Sequence, residues 1–223
     1  MKKIILAGNS STAEILYQYL KLDERYNVVG ITVDEEYINK GNLNHLKQCC
    51  LSNIENIFSK KEHTIIMAIG YSDLNRKREK VFLNLKSKGY KIETYIHPKA
   101  IVLSQFKLGD GTVILPNAVI EPFAKVGENT IIWSNVTIAH HANISKNCWL
   151  ASGSTISGMV NIKKNTFIGV NATIVNDVAI EKNNIIGASA MISKNTKSNS
   201  VYLTRSAERL RYEVYDYLKI VDF

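Results

Sequence analysis

An aliphatic residue recurs at every sixth position through the second half of this 223-residue chain. In rows of six that begin at Lys107, the second position is Leu, Ile or Val in every row from Leu108 to Ile192. Short strands with this period wind into a triangular coil of three rows, and stacked coils bury the aliphatic column. The repeat therefore predicts a parallel β-helix with 18 residues in each coil.

Two further columns of the repeat have a physical interpretation. The sixth position is small almost throughout, and Cys148 lies there, so its thiol is interpreted as filler of the core. The fifth position is mostly Asn, Gly or Asp, which tolerate a positive φ. This column therefore marks the corner of each turn.

The first 95 residues alternate between apolar runs and amphipathic segments, which is typical of a parallel sheet covered by helices. Strands are predicted at 2–7, 28–33, 64–69 and 91–96, and helices at 10–22, near 43–50 and at 74–88. We therefore expect an α/β, Rossmann-like domain at 1–95, the β-helix at 96–200 and a C-terminal segment at 201–223.

The turn GNSST after the first strand is a candidate phosphate-binding loop at the start of a helix. A dinucleotide fingerprint needs three glycines in this loop, and only Gly8 is present, so the sequence does not favour NAD. Asp34 and Glu35 follow the second strand, where an acidic side chain either holds a ribose or base or is simply solvated. Both interpretations stay open from the residues alone.

The composition favours a globular protein of the cytoplasm that binds small anionic ligands. Apolar residues make up 45% of the chain, but no run is long enough to span a membrane. The three cysteines lack the spacing of a disulfide framework, which fits a reducing compartment. The net charge of +8 is spread evenly, with +4 on residues 1–95 and +4 on the remainder, and this spread does not favour nucleic acid as a partner.

The stretch TIAHHANIS places two adjacent histidines in the repeat. His141 lies in the corner column, where a bend residue is the simplest interpretation. His140 lies in the fourth position, an exposed slot without a packing role, so its imidazole is a candidate general base. Zinc would need three or four ligands, and the inward-facing Cys148 makes a poor third, so no metal is expected. One coil further on, Gly158 would expose its backbone N–H beside His140.

These features resemble the family of sugar acyltransferases that contains sialic acid O-acetyltransferases and bacillosamine-type N-acetyltransferases, within the hexapeptide-repeat superfamily. The resemblance extends over nearly the whole chain, through IILAGNSSTAE, MAIGYSDLNRKR, YIHPKA, TIAHHANIS and FIGVNATI. It implies a left-handed β-helix that binds acetyl-CoA at clefts between the subunits of a homotrimer. It also implies that the N-terminal domain binds the nucleotide of a sugar substrate.

The resemblance assigns roles to individual residues. His140 matches the catalytic base, with His141 beside it, and Gly158 matches the glycine whose amide meets the thioester carbonyl. Asp34 matches the acidic contact of the nucleotide. The other expected contacts are Trp149, Lys164, Lys182 and Lys194 with acetyl-CoA, and Gly8, Asn9, Ser10, Glu35 and Gly70 with the nucleotide sugar.

Three features of this chain depart from the family pattern. His141 stands where many relatives have an orienting Glu, and Trp149 stands where some have a further His near the thioester. The stretch YLTRSAERL replaces a loop that contains Gly and Pro near the adenine end of CoA.

The sequence therefore predicts acetyl transfer from acetyl-CoA to the amino group of a nucleotide-linked deoxyamino sugar, in surface glycan synthesis. O-acetylation of a sugar is the first alternative, because the same base serves it. A non-catalytic binding or scaffold protein is the second.

The first position of the repeat predicts a contact surface. On one face of the prism this position is apolar along its whole length, at Val113, Ile131, Trp149, Phe167 and Ile185. We expect this apolar stripe to be exposed on one chain and buried in the trimer, unless the C-terminal segment covers it.

Overall fold

The computed structural model describes residues 1–221 of the chain. Residues 1–92 form a five-stranded parallel sheet with helices on its faces, in the strand order β3-β2-β1-β4-β5. The strands are β1 (Lys2–Ala7), β2 (Tyr26–Val33), β3 (Lys47–Cys50), β4 (His63–Met67) and β5 (Lys91–Ile92). The helices are α1 (Ser11–Lys21), α2 (Ile54–Ile57) and α3 (Arg76–Ser87), with single 3₁₀ turns at Glu35–Tyr37 and Leu51–Asn53.

One predicted helix of this domain is wrong. The segment near 43–50 ends in strand β3, which pairs in parallel with Gly30–Val33 of β2. Its apolar residues have helical spacing, but the segment is short and begins with turn-forming Asn residues. Pairing with the open edge of β2 satisfies the backbone, and this tertiary contact decides the conformation.

The strand predicted at 91–96 is divided between two sheets. β5 (Lys91–Ile92) pairs with β4 in the α/β sheet, whereas β6 (Tyr95–Ile96) pairs with residues 113–114 of the β-helix. The chain therefore passes from one domain to the other within two residues.

The repeat folds into a three-sided prism of parallel two-residue strands, which confirms the predicted β-helix. We call its sides the docking face, the second face and the third face. The docking face contains β6 (Tyr95–Ile96), β8 (Val113–Ile114), β11 (Ile131–Ile132), β14 (Trp149–Leu150), β17 (Phe167–Ile168), β20 (Ile185–Ile186) and β22 (Val201–Tyr202). The second face contains β7 (Ile101–Val102), β9 (Val119–Ile120), β12 (Thr137–Ile138), β15 (Thr155–Ile156), β18 (Thr173–Ile174) and β21 (Met191–Ile192). The third face contains β10 (Lys125–Val126), β13 (Asn143–Ile144), β16 (Asn161–Ile162) and β19 (Ala179–Ile180).

The columns of the repeat have the predicted roles. The aliphatic column forms the core of the prism, and its members from Ile114 to Ile192 are buried. Cys148 is fully buried in the same core as a free thiol. The fifth position has a positive φ in every row from Gly111 to Ser189, with φ +60° at His141. Each corner is therefore a left-handed turn residue, as the column of Asn, Gly and Asp predicts.

Most of the apolar stripe is covered within one chain, which corrects the expectation that the whole stripe is an exposed contact surface. Val113, Ile131 and Trp149 are 0%, 1% and 4% exposed because they pack against the α/β domain. Their partners include Ile4 and Leu6 of β1 and Leu16 and Leu20 of α1. Phe167 is partly buried against the same cluster, whereas Ile185 at the end of the stripe is 36% exposed. The stripe from Val113 to Phe167 is therefore the seam between the two domains of one chain.

The buried guanidinium of Arg78 in helix α3 links the two domains at the same seam. Arg78 is fully buried and donates hydrogen bonds to the carbonyl oxygens of Gly70, Asn129 and Cys148 at 3.1 to 3.3 Å. Its Nη1 also donates to Asn75 Oδ1 at 2.9 Å, and the guanidinium lies 5.7 Å from the ring of Trp149. Burial lowers the pKa of Arg78, but the backbone carbonyls hold the cation in place.

The C-terminal segment does not cover the stripe. It ends in helix α4 (Val214–Val221), in which no residue is buried. The last two residues, 222 and 223, lie outside the described part of the chain. Within residues 1–221, no helix is both long enough and apolar enough to cross a membrane.

Candidate active site

A cavity of about 560 Å³ opens at the carboxyl ends of strands β1, β2 and β4. Strand order reverses between β1 and β4, and ligands of open parallel sheets bind at such a reversal. The start of helix α1 also faces the cavity through Ser11 and Thr12, and its first backbone N–H groups have no partner within the helix. This end of the cavity is therefore suited to a phosphate.

The cavity includes most of the substrate contacts expected from the sequence. Gly8, Ser10, Asp34 and Gly70 line it. Gly8 has a φ of +128°, and a Cβ atom at this position would lie 2.6 Å from the carbonyl oxygen of Ala68. Glycine therefore allows the loop to pass close to β4.

Two expected contacts differ in position from the others. Asn9 lines the cavity, but its side-chain amide donates to the carbonyl oxygens of Tyr37 and Lys40, both at 2.7 Å, and so holds the loop that follows β2. Glu35 does not line the cavity, whereas Glu36 does. The 3₁₀ turn at Glu35–Tyr37 decides which of the two carboxylates faces inward.

The structure adds cavity residues that the sequence analysis did not single out. Lys77 and Lys80 of α3 bring positive charge to the cavity, and Tyr37 and Tyr71 bring aromatic rings. The lysines stand three residues apart on the helix within NRKREK, a spacing that places both on one side. Together with Asp34, they give the cavity a cationic side for phosphates and an anionic side for hydroxyl or base N–H groups.

The second candidate site is the corner of the prism between the second and third faces. We call it the histidine corner; its fourth-position residues are Pro122, His140, Gly158, Asn176 and Lys194, and its fifth-position residues are Phe123, His141, Met159 and Asp177. His140 and His141 are exposed there. The sequence analysis places the two histidines and Gly158 together, and the structure brings them into contact.

The His140 ring lies directly over Gly158. A Cβ atom at Gly158 would come within 2.6 Å of Cε1 and 2.7 Å of Nε2 of His140, closer than any side chain allows. Gly158 therefore makes room for the imidazole, and Nε2 is the nitrogen on this side. The main chain of His140 is held from the preceding coil, because its N–H donates to Glu121 Oε2 at 2.8 Å.

The backbone N–H of Gly158 has no hydrogen-bond partner of its own. The neighbouring groups are used, since Met159 N–H donates to His140 O and Gly158 O accepts from Asp177 N–H, both at 3.0 Å. No acceptor in the described part of the chain pairs with the Gly158 N–H itself. Gly158 is buried within the single chain, and the His140 ring lies over it. An imidazole and an unpaired amide donor thus lie at the same corner, and acyl transfer uses both kinds of group.

The residues expected to contact acetyl-CoA divide between two corners. Lys194 lies on the histidine corner, three coils from His140 and about 14 Å along the prism. Lys164 and Lys182 lie on the corner between the third and docking faces, in a groove with Arg76 and Lys80 of α3. This division follows from the period of 18 residues. Lys194 comes three whole coils after His140 and so lies on the same corner, whereas Lys164 is not a whole number of coils from His140.

Trp149 is not placed to contact acetyl-CoA, which corrects that expectation. Its ring is 4% exposed and packs against Tyr71 at 5.1 Å and Trp133 at 5.4 Å between ring centroids. Tyr71 also lines the cavity of the α/β domain. Trp149 therefore supports the wall of this cavity through its contact with Tyr71.

The comparisons with known proteins concern the repeat and the overall fold. A family model described as bacterial transferase hexapeptide, with six repeats, matches residues 107–140. No curated protein sequence gives a significant match.

Several solved structures share the fold of both domains. The acetyltransferase domain of PglB from Neisseria gonorrhoeae has 21% identity and a TM-score of 0.79, over 90% of this chain and 96% of that one. Perosamine N-acetyltransferase from Caulobacter crescentus, solved with CoA and GDP-perosamine, has 20% identity and a TM-score of 0.79, over 90% and 92%. WeeI from Acinetobacter baumannii has 18% identity and a TM-score of 0.77, over 90% and 96%. The predicted architecture, an α/β domain followed by a left-handed β-helix, is therefore confirmed.

Proposed function

We propose that this protein transfers the acetyl group of acetyl-CoA to the amino group of a nucleotide-linked deoxyamino sugar. The observation that carries the proposal is the His140 ring over Gly158, whose backbone N–H has no partner within the described residues. The cavity of the α/β domain supports a nucleotide as the other half of the substrate. We place the reaction in the cytoplasm, where three free cysteines are stable and acetyl-CoA is available.

The chemistry follows from the two groups at the histidine corner. His140 Nε2 accepts the proton that the amine loses as its nitrogen attacks the thioester carbonyl. Gly158 N–H donates to the oxygen of that carbonyl, on which negative charge develops as the tetrahedral intermediate forms. General-base catalysis typically contributes about 10²- to 10⁴-fold, and one oxyanion donor about 10²- to 10³-fold.

The position of Lys194 supports a direction for acetyl-CoA along the prism. In this proposal the thioester lies at Gly158, and phosphates that extend along the corner toward the C-terminal coils meet a cation, whereas the fourth-position residue on the other side of His140 is Pro122. Lys194 lies on that path and Asp177 precedes it. Lys164 and Lys182 lie on another corner, so they reach the same molecule of acetyl-CoA only from a neighbouring subunit.

We further propose that the active site is shared between copies of the chain in a homotrimer. In a triangular prism, the histidine corner is the one that does not touch the docking face, and the α/β domain covers the docking face. A sugar held in the cavity of one chain therefore lies across the prism from the His140 of that chain. Phe123 and Met159, which are 48% and 58% exposed, offer an apolar contact for a neighbouring subunit at this corner.

The test of the reaction is a screen of nucleotide-linked amino sugars with acetyl-CoA, measured by release of free thiol. We expect turnover with an amino sugar, and mass spectrometry should place the acetyl group on nitrogen. Acetylation of a hydroxyl group would instead establish the O-acetyltransferase alternative. Absence of thiol release with every sugar would leave the non-catalytic scaffold as the better account.

The test of the shared site is complementation between two inactive variants. Gly70→Phe should fill the nucleotide cavity without a backbone clash, because a Cβ atom there would meet only Thr12 Oγ1, at 3.5 Å. Gly70→Phe and His140→Ala should each be inactive alone and regain activity when they are co-expressed. If the co-expressed pair stays inactive although mixed trimers form, each chain uses its own histidine.

A further inference from the structure

The two histidines of the histidine corner are in direct contact. Nδ1 of His140 lies 3.2 Å from Nδ1 of His141, within hydrogen-bond distance. Each nitrogen is either a donor or an acceptor, according to which ring atom carries the hydrogen. A hydrogen bond between two neutral imidazoles therefore requires opposite states at the two Nδ1 atoms, and it selects the tautomer of both rings.

Only one of the two arrangements allows His140 to act as a base. Nε2 of His140 lies over Gly158 and must hold a lone pair, so the hydrogen must be on Nδ1. His140 then donates from Nδ1 to Nδ1 of His141, and His141 carries its own hydrogen on Nε2. In the reverse arrangement, Nε2 of His140 is already protonated and accepts nothing.

We propose that His141 is a positioning residue, which accepts a hydrogen bond from Nδ1 of His140 and so selects the base-competent tautomer of His140. This inference rests on the proposed acetyl transfer. As the C–N bond forms, the amine proton moves to His140 Nε2, and the hydrogen bond from His140 Nδ1 to His141 Nδ1 stabilises the imidazolium. The C–S bond breaks with its electron pair on sulfur, and His140 Nε2 gives its proton to the thiolate. Amine plus thioester thus become amide plus thiol, and both rings keep their starting tautomers.

The His141 ring is held in the orientation that this role needs. Phe123 stacks on it with ring centroids 4.7 Å apart and an angle of 22° between the planes. The two imidazoles are nearly perpendicular, at 83°, so that an Nδ1 atom of one ring faces that of the other. The stacked Phe123 ring and the left-handed turn conformation therefore hold the His141 ring in place beside His140.

The charged groups around the pair do not replace His141 in this role. Glu121 accepts a hydrogen bond from the main-chain N–H of His140 rather than from its ring. Asp177 and Lys194 lie on the same corner, two coils from His141 and three coils from His140 respectively.

The chain itself supplies a matched series of substitutions for His141. Phe, Asn and Asp all occupy the same column with positive φ elsewhere in the prism, at Phe123, Asn135 and Asp177, so each should fold. Phe offers no acceptor. The Asn Oδ1 atom can take the place of Nδ1 as a neutral acceptor, and an Asp carboxylate is a charged acceptor that also stabilises the His140 imidazolium.

We expect His141→Phe to lower kcat about 10²-fold, His141→Asn about tenfold, and His141→Asp less than about threefold, with little change in the KM for acetyl-CoA. Asn135→Phe, which places the same ring on another corner, should stay within about twofold of wild type. Activity of His141→Phe equal to wild type, or equal losses in all three variants, would overturn the proposal.

Histidine-labelled NMR provides a readout that does not need turnover. The nitrogen shifts of His140 should report hydrogen on Nδ1 in the wild type and a shift toward hydrogen on Nε2 in His141→Phe. Hydrogen on Nε2 of His140 in the wild type would overturn the inference even in an active enzyme. A wild type that has the expected tautomer but turns over no amino sugar would instead refute the proposed function alone.

Discussion

The docking face and the histidine corner are built from the same repeat, yet they differ in solvent exposure within one chain. On the docking face, Trp149 is 4% exposed because the α/β domain covers it. At the histidine corner, Phe123 and Met159 remain 48% and 58% exposed within one chain. The repeat determines which side chains point outward, and the neighbour that folds against each side determines which of them become core. The docking face is therefore part of the core, whereas the histidine corner, to which we assign the chemistry, stays exposed within one chain.

The largest effect is expected from placing charge in the docking face. Trp149→Glu combined with Phe167→Glu should separate the two domains, since loss of a buried Trp alone typically costs about 3 to 5 kcal/mol and an unpaired buried carboxylate adds to this. Thermal unfolding and limited proteolysis of the α/β domain measure the change. Asn143→Glu, in the same column on the third face, is the matched control and should cost less than about 0.5 kcal/mol. Equal stability of the two would mean that the seam contributes nothing.

At the histidine corner, the main effect should be on catalysis and not on stability. His140→Ala should lower kcat about 10²-fold or more, because it removes the base, and should leave the unfolding temperature nearly unchanged, because the ring is exposed. Steady-state kinetics and calorimetry on the same sample test both parts. Near-normal turnover would remove His140 from the mechanism.

A smaller effect at the same corner should follow from Gly158→Ala. The φ of Gly158 is not positive, so the backbone accepts Ala, but the new Cβ atom would displace the His140 ring from its place. We expect about a tenfold loss of kcat with little loss of stability. Ser152→Ala, at the fourth position of another corner, provides the control. A fully active Gly158→Ala would show that the ring works equally well from a displaced position.

The smallest effect on stability is expected from an ion pair that links the two domains at their junction. Arg25 forms a hydrogen-bonded ion pair with the buried carboxylate of Asp23 and also donates to the carbonyl oxygen of Ile96 in β6. The hydrogen bond from Arg25 lowers the pKa of Asp23, so the stabilisation is full above the ordinary value of 3.8 and is lost as pH falls through the lowered value. Asp23→Asn should cost about 1 kcal/mol at pH 7. Denaturant unfolding should show this difference disappearing in strong acid, and a difference that persists there would exclude the ion pair as its cause.

Part of the candidate site follows directly from the period of the repeat. His140 and Gly158 are separated by one coil, so the sequence alone predicts that they stack, and their contact confirms it. The same period predicts that Lys194 lies on a different corner of the prism from Lys164 and Lys182. The cavity of the α/β domain was predicted less completely, because Lys77 and Tyr71 approach it from a segment distant in sequence from the loop after β1.

The sequence by itself determined the β-helix, because a column of aliphatic residues every six positions can be buried in only a few ways. It also determined the left-handed turns of the corners, since the residues that tolerate positive φ occur there. Only the tertiary structure decided that residues 47–50 form a strand, that the apolar stripe is a seam within one chain, and that Trp149 is buried. These outcomes depend on which surface folds against which, and apolar side chains gain the same free energy from burial against a second domain as against a second subunit.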